Sequence, residues 1–153
     1  MKTLLILALT LFTSISFAET CFEKKKPLEN NESELLKYRD FMEKGFKTRG
    51  HVDGLVVEQT ENRQGHLHFI LDLDSDLTTS DDHLEIIYNQ QYGEIAEVLP
   101  GSRVRACGDF IVDHYSPTKA VLHWLHLNPN KKKNHHEDGF LIIDNQVFGL
   151  QAK

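Results

Sequence analysis

The spacing of hydrophobic and polar positions changes along the chain, from a helical period to a strand period. Over residues 32–46 the apolar side chains fall mainly on i, i+3 and i+4 spacing, which predicts one amphipathic helix that packs against something larger. From residue 50 onward short apolar runs alternate with turn residues, which is typical of β-strands. Residues 19–31 offer little that could be buried and predict a flexible lead-in.

The strand region predicts a mainly β fold. We predict five strands and a C-terminal hairpin, at 51–59, 66–73, 84–88, 103–113 and 120–127, then 140–143 with 147–150. A short helix or irregular crossing is expected over 92–99, between the third and fourth strands. This order favours a five-stranded OB-fold-like Greek-key barrel over 50–153, to which the N-terminal helix and the C-terminal hairpin are extensions. An SH3-like barrel or a small sandwich has the same strand count and stays open.

The first 18 residues predict a signal peptide. Lys2 supplies a positive start, residues 4–12 an apolar core, and Ala18 a small residue at the cleavage point. The apolar run is shorter than the roughly 20 residues that a membrane helix needs. We therefore expect an exported protein, periplasmic or secreted, with no transmembrane segment after signal removal.

Cys21 and Cys107 are the only cysteines. Export would place them where disulfides persist, so a bond between them is one interpretation. In the other, Cys107 is a small buried strand residue and Cys21 lies on a frayed tail. The sequence leaves both open.

The composition argues against two classes of protein, non-specific nucleic-acid binders and disordered chains. The chain carries 17 Lys and Arg against 23 Asp and Glu, a net charge of −6, so non-specific nucleic-acid binding through phosphates is not expected. A hydrophobic content of 40% with 26% charged residues is ordinary for a globular protein and argues against disorder.

Histidines are the main candidate chemistry, at His66, His68, His123, His126 and His136. Imidazole binds zinc, copper or nickel, and it also acts as a general acid or base near pH 7. In a regular strand His123 and His126 would point to opposite faces, so one site can use both only if a bulge or a strand end intervenes. None of the spacings is a recognised zinc motif, and catalytic templates such as GxSxG or a phosphate loop are absent.

Trp124 and the acidic run at 72–82 each have a structural and a functional interpretation. Trp124 shares a strand face with Ala120 and Leu122, which favours a core position, whereas a groove position would let it stack on a base or sugar ring. The acidic run at 72–82 could hold calcium, but it lacks the glycine and the terminal glutamate of an EF-hand loop. We therefore interpret it as a solvated acidic loop.

Several short patterns between Gly65 and Phe148 occur together in a known family. They are His66 with Phe69, Asn89 after the next strand, Gly101-Ser102-Arg103-Val104 with Gly108, HWLHLNP at 123–129, and HEDGF at 136–140. On these residues the chain resembles a family of small exported bacterial proteins known as domain of unknown function 3465.

The resemblance implies that one cluster contains His66, Asn89, His123, His126 and His136. It implies no activity, because the family is uncharacterised. This chain has Tyr88, Leu127 and Asn128 where the family carries His, His and Asp, which removes potential ligands.

We therefore expect an exported binding module with a histidine-lined polar site for a small ligand, a metal or a polar polymer. The site residues are His66, Asn89, His123, Trp124, His126 and His136. The expected metal is a divalent transition metal such as zinc, held by His66, His123, His126 and His136.

One alternative is a metal-assisted hydrolase, similar to a phosphodiesterase or nuclease, and another is a structural or interaction protein of the envelope. A further alternative is that the histidines only hydrogen-bond loop carbonyls and hold the fifth strand against the C-terminal hairpin. Whether the protein is an enzyme stays open.

Overall fold

The computed structural model describes residues 19–131, 133 and 136–150. The predicted signal peptide, residues 1–18, lies outside the described residues. The described part is mainly β, with one α-helix and a seven-stranded sheet in which five strands pair in a closed ring. None of the described helices is long and apolar enough to cross a membrane.

The segment before the helix is anchored, so the prediction of a flexible lead-in is wrong. Phe22–Glu23 (β1) and Lys26–Pro27 (β2) pair as a small hairpin. A disulfide joins Cys21 to Cys107, with the two Cα atoms 5.6 Å apart and both side chains buried. The bond was one of two open interpretations, and it fixes the lead-in to the sheet.

The α-helix, α1, spans Glu32–Phe41 and ends before the predicted residue 46. Met42 is already extended, and Gly45 has a φ of +90°, a left-handed conformation that favours glycine. The Gly45 N–H donates to the Val112 carbonyl oxygen at 2.8 Å. The chain after Phe41 therefore turns toward the sheet instead of adding another helical turn.

Five strands form the ring: β3 (Lys47–Arg63), β4 (His66–Asp72), β5 (Leu84–Asn89), β6 (Arg103–Val112) and β7 (Ala120–His123). They pair in the order β3-β4-β5-β7-β6, and β6 pairs again with β3. All these pairings are antiparallel except β5 with β7, which is parallel. Between β5 and β6, a 3₁₀ turn at Gln90–Tyr92 is followed by an irregular stretch over residues 93–99.

The long strand β3 closes the ring because it pairs with two neighbours in succession. Residues 47–55 pair with β6 and residues 55–63 pair with β4. Gly54 lies at the junction, where a Cβ atom would stand 2.2 Å from the Asp72 carbonyl oxygen. Only glycine allows this close approach of two backbones.

The predicted C-terminal hairpin is present as β8 (Phe140–Ile143) and β9 (Gln146–Phe148), and it extends the sheet from β6. The main core is built from the ring strands, and its largest buried side chains include Phe69, Tyr88, Phe110 and Leu122. A second, smaller cluster packs around the disulfide and contains Phe140 and Ile142.

Candidate functional site

The end of β7 brings the predicted histidines together. The strand stops at His123 instead of continuing to residue 127, because Trp124 has a left-handed backbone with φ +59°. Strict alternation would have separated His123 from His126. With the strand end between them, both imidazoles lie near the indole of Trp124, at centroid distances of 5.1 and 5.7 Å.

Four imidazoles and one indole make a continuous set of ring contacts, which we call the histidine cluster: His66, His123, Trp124, His126 and His136. The His66 and His123 ring centroids are 5.6 Å apart. His136 stacks on Trp124 at 4.4 Å and meets His126 edge to face at 5.7 Å. Three separate chain segments therefore contribute to one ring-lined surface.

Trp124 is only partly buried, so the interpretation of Trp124 as a core residue is wrong. Ala120 and Leu122, which share its predicted face, are fully buried. The left-handed turn at Trp124 takes its side chain off that face. The indole lies at shallow interplanar angles to His123 and His136, of 28° and 27°.

A polar network holds His136 in place. The Asn128 side-chain amide donates to the His136 carbonyl oxygen at 2.6 Å, and the Asn128 N–H donates to the Asp138 carboxylate at 2.8 Å. The Asp138 carbonyl oxygen accepts from Arg49, whose buried guanidinium pairs with Asp109 at 2.7 Å. The loop that carries His136 is thus tied to the sheet.

Two glycines allow the backbone around His126 to approach its neighbours. The Gly139 N–H donates to the His126 carbonyl oxygen at 2.8 Å, and the Leu127 N–H donates to the Gly149 carbonyl oxygen at 2.8 Å. A Cβ atom at position 139 would lie 2.3 Å from the Trp124 carbonyl oxygen. A side chain there would push this carbonyl away, so the glycine is needed for the shape of the cluster.

Burial keeps two of the imidazoles neutral near pH 7. Burial, and after it the neighbouring histidines, which would repel a positive ring, lower the pKa of His123 to about 4. Burial is also the largest cause of the lowered pKa of His126. A neutral imidazole keeps one nitrogen lone pair free, which is the form that binds a metal.

The hydrogen bonds of the clustered imidazoles show which of the two ring nitrogens carries the lone pair. In His126 and His136, Nδ1 lies 2.7 and 3.1 Å from the carbonyl oxygen of the next residue, and His66 Nδ1 lies 3.3 Å from the Gln64 carbonyl oxygen. A carbonyl oxygen only accepts, so Nδ1 carries the proton and Nε2 the lone pair. Within the described part of the chain, Nε2 of His126 and of His136 is buried and has no hydrogen-bond partner.

Asn89 has a different role from the one expected. It pairs with His66 across β4 and β5, but its side-chain oxygen accepts from the Gln91 N–H at 2.9 Å and caps the 3₁₀ turn. Tyr92 contacts the cluster instead, stacked on His126 at a centroid distance of 3.6 Å and an interplanar angle of 6°. The sequence did not indicate Tyr92 because it lies in the 3₁₀ turn after β5, where no hydrophobic period predicts a neighbour.

The tightest grouping of metal-binding atoms lies elsewhere in the chain. Among the described residues, Asp72, Asp82 and His83 each place one ligand atom within 4.8 Å of the other two. The four clustered histidines do not form such a set. Asp72 and Asp82 are also buried, so the interpretation of 72–82 as a wholly solvated loop is wrong for its first and last residues.

No family model, no curated protein and no solved structure matches this chain.

Proposed function

We propose that the protein is an exported, OB-fold-like binding module whose histidine cluster binds a divalent transition metal such as zinc. Two observations support the barrel. The strands of the ring follow the order β3-β4-β5-β7-β6-β3, and their single parallel pairing joins the third and fifth of them in chain order. This connectivity supports a five-stranded Greek-key barrel of the OB-fold kind.

The observation that carries the metal proposal is the state of His126 and His136. Each ring has Nδ1 fixed to a backbone carbonyl oxygen and a buried Nε2 with no partner among the described residues. Metal-binding histidines in proteins are held in this way, because the second hydrogen bond fixes both the tautomer and the ring orientation. An alternative purely structural role accounts for the Nδ1 atoms but leaves both buried Nε2 atoms unsatisfied.

The neighbouring rings can complete a coordination sphere. Zinc takes four ligands, and imidazole nitrogens suit zinc, copper and nickel better than magnesium or calcium. His123 is neutral near pH 7 and partly exposed, and His66 lies beside it. A side-chain rotation that brings one of these nitrogens to His126 and His136 would supply the third protein ligand.

The disulfide supports the export part of the proposal. Cys21 and Cys107 are bonded, and structural disulfides persist mainly in oxidising compartments such as a periplasm or the extracellular space. The bond also holds the start of the folded chain on β6.

Trp124 provides a direct test, because it is the only tryptophan and lies within the cluster. We expect zinc added to chelator-treated protein to change the tryptophan fluorescence. His126→Ala and His136→Ala should each lower the zinc affinity measured in this titration roughly 100-fold, because each removes a ligand. His114→Ala is the matched control, since His114 is exposed and does not belong to the cluster.

Two results would contradict the proposal. One is a fluorescence unaffected by zinc, copper and nickel, together with no metal in elemental analysis of protein purified without an affinity tag. The other is an equal metal response in His126→Ala and His114→Ala. If His126→Ala lowers stability without changing the metal response, the histidines act only as hydrogen-bonding residues of the loop.

A further inference from the structure

Three ionisable side chains meet where β4 ends and β5 begins. Asp72 is the last residue of β4, and Asp82 and His83 directly precede β5; their ligand atoms lie within 4.8 Å of one another. We call them the loop trio. His66 stands at the opposite end of β4, six residues away, which is about 20 Å along a strand. The loop trio is therefore distinct from the histidine cluster.

The trio contains buried polar atoms that the described residues do not satisfy. Asp72 has 0% exposure; the Ser75 N–H interacts with its carboxylate and partly offsets the rise in pKa that burial causes, but neither oxygen accepts a hydrogen bond of normal geometry. Asp82 has 6% exposure; one oxygen accepts from the Leu73 and Asp74 N–H groups, and the other accepts none. His83 Nε2 is also buried without a partner, 3.6 Å from an Asp72 oxygen. Buried charges without partners are costly, so these carboxylates are stabilised either by protonation or by a counter-charge.

The guanidinium of Arg39 contacts this loop but does not supply the counter-charge. Arg39 donates to the backbone carbonyl oxygens of Asp81 and His83, and its side chain pairs with Asp40 at 2.9 Å. Its donors are thus engaged with backbone oxygens and a different carboxylate. The Asp72 carboxyl has a raised pKa, first because of burial and second because of the nearby Asp82 charge.

We propose that Asp72, Asp82 and His83 bind one divalent cation of the zinc or manganese type, in a second site that is separate from the histidine cluster. The ligand set is two carboxylates and one imidazole nitrogen, which suits these ions. Calcium prefers six to eight oxygen ligands and fits a nitrogen-containing set less well. The bound cation neutralises the two carboxylates and gives the orphaned oxygens a partner.

The trio has an entry path and a mechanical role. The His83 side chain is partly exposed and lines a cleft of about 450 Å³ together with Arg39, Thr118 and Lys119. The cation reaches the carboxylates from this cleft. Because one ligand ends β4 and the other two precede β5, the cation clamps both ends of the loop over residues 73–82.

Calorimetric titration of chelator-treated protein with zinc, manganese and calcium tests the site. We expect Asp82→Asn to weaken zinc or manganese binding roughly 100-fold, and His83→Gln at least about 10-fold. Asp81→Asn is the matched control, because it removes the same charge from an exposed neighbour. Calcium should bind more weakly than zinc or manganese in all these proteins.

Two further measurements separate this site from the histidine cluster. In a His126→Ala/His136→Ala variant the loop site should still bind one cation, without any change in Trp124 fluorescence. Manganese, which broadens nearby NMR signals, should broaden the amide signals of residues 72–83 before those of 123–136.

The inference is overturned if Asp82→Asn and His83→Gln bind cations as tightly as Asp81→Asn, or if manganese leaves residues 72–83 unbroadened. It is also overturned if a carboxyl carbon NMR titration shows Asp72 protonated at neutral pH in protein that binds no cation at the loop. If Asp82→Asn does not fold, His83→Gln decides the question, since the His83 side chain lies at the edge of the site. These results do not depend on whether the histidine cluster binds metal.

Discussion

A fall in pH from about 7.5 to about 5 should destabilise the protein through His123. The pKa of this ring is about 4 in the folded protein against 6.5 in the unfolded chain, mainly because burial disfavours the charged form. The unfolded chain therefore takes up the proton first as the pH falls. The stabilisation is fully present above about pH 7, declines below pH 6.5, and is lost once the pH passes below about 4.

The size of the effect follows from the two pKa values. At about pH 5 the unfolded ring is almost fully protonated, whereas roughly a tenth of the folded rings carry the proton. At about 1.4 kcal/mol per pKa unit, the free energy of unfolding drops by about 2 kcal/mol between the two conditions. This is an upper limit, because water reaches the partly exposed ring and screens its charge.

Urea unfolding of the wild type and of His123→Gln, both with a chelator present, measures the difference. We expect the wild type to lose about 2 kcal/mol more than the variant between about pH 7.5 and about pH 5. The raised pKa of Asp72 has the opposite effect, because it increases the free energy of unfolding as the pH falls. Both proteins contain Asp72, so its effect cancels from the difference between them. An equal loss in the two proteins, or an NMR spectrum in which His123 is already protonated at about pH 6, would refute the reasoning.

Three further predictions concern the groups around the cluster. Replacing both Cys21 and Cys107 by alanine should lower the free energy of unfolding by about 2 to 5 kcal/mol, since the disulfide closes a span of 86 residues; urea unfolding checks this. Tyr92→Phe should retain the stacking on His126 and normal zinc affinity, whereas Tyr92→Ala should weaken zinc binding in the fluorescence titration; equal affinities would contradict it. Gly139→Ala should lower the melting temperature and alter the tryptophan emission, because its Cβ would lie 2.5 Å from the Cys107 carbonyl oxygen; an unchanged emission spectrum would argue against this packing.

The strand pattern could be predicted from the sequence because it is a local property. Side chains on a strand alternate with a period of two, so the apolar positions of β4, β5 and β6 mark each of these strands within a few residues. The turn residues between them mark the boundaries. The mainly β class, the single helix and the hairpin follow from these local signals.

The histidine positions were also visible in the sequence, but their convergence was not. It depends on the left-handed backbone of Trp124, which ends β7 at His123, and on the loop contacts that bring His136 to the indole. Tyr92 joins the cluster through the fold alone, since it stacks on His126 from the 3₁₀ turn after β5.

The tertiary structure likewise decided which charged and sulfur-containing groups are buried. Asp72 and Asp82 belong to an acidic run whose composition indicates solvation, yet both are enclosed by the packing around the end of β4. Cys21 meets Cys107 only because the lead-in folds back onto β6. The sequence by itself determined where most of the longer strands, the turns between them and the histidines occur. Burial and proximity depend on contacts between residues far apart in the chain, so only the folded structure decided which of those groups share a site.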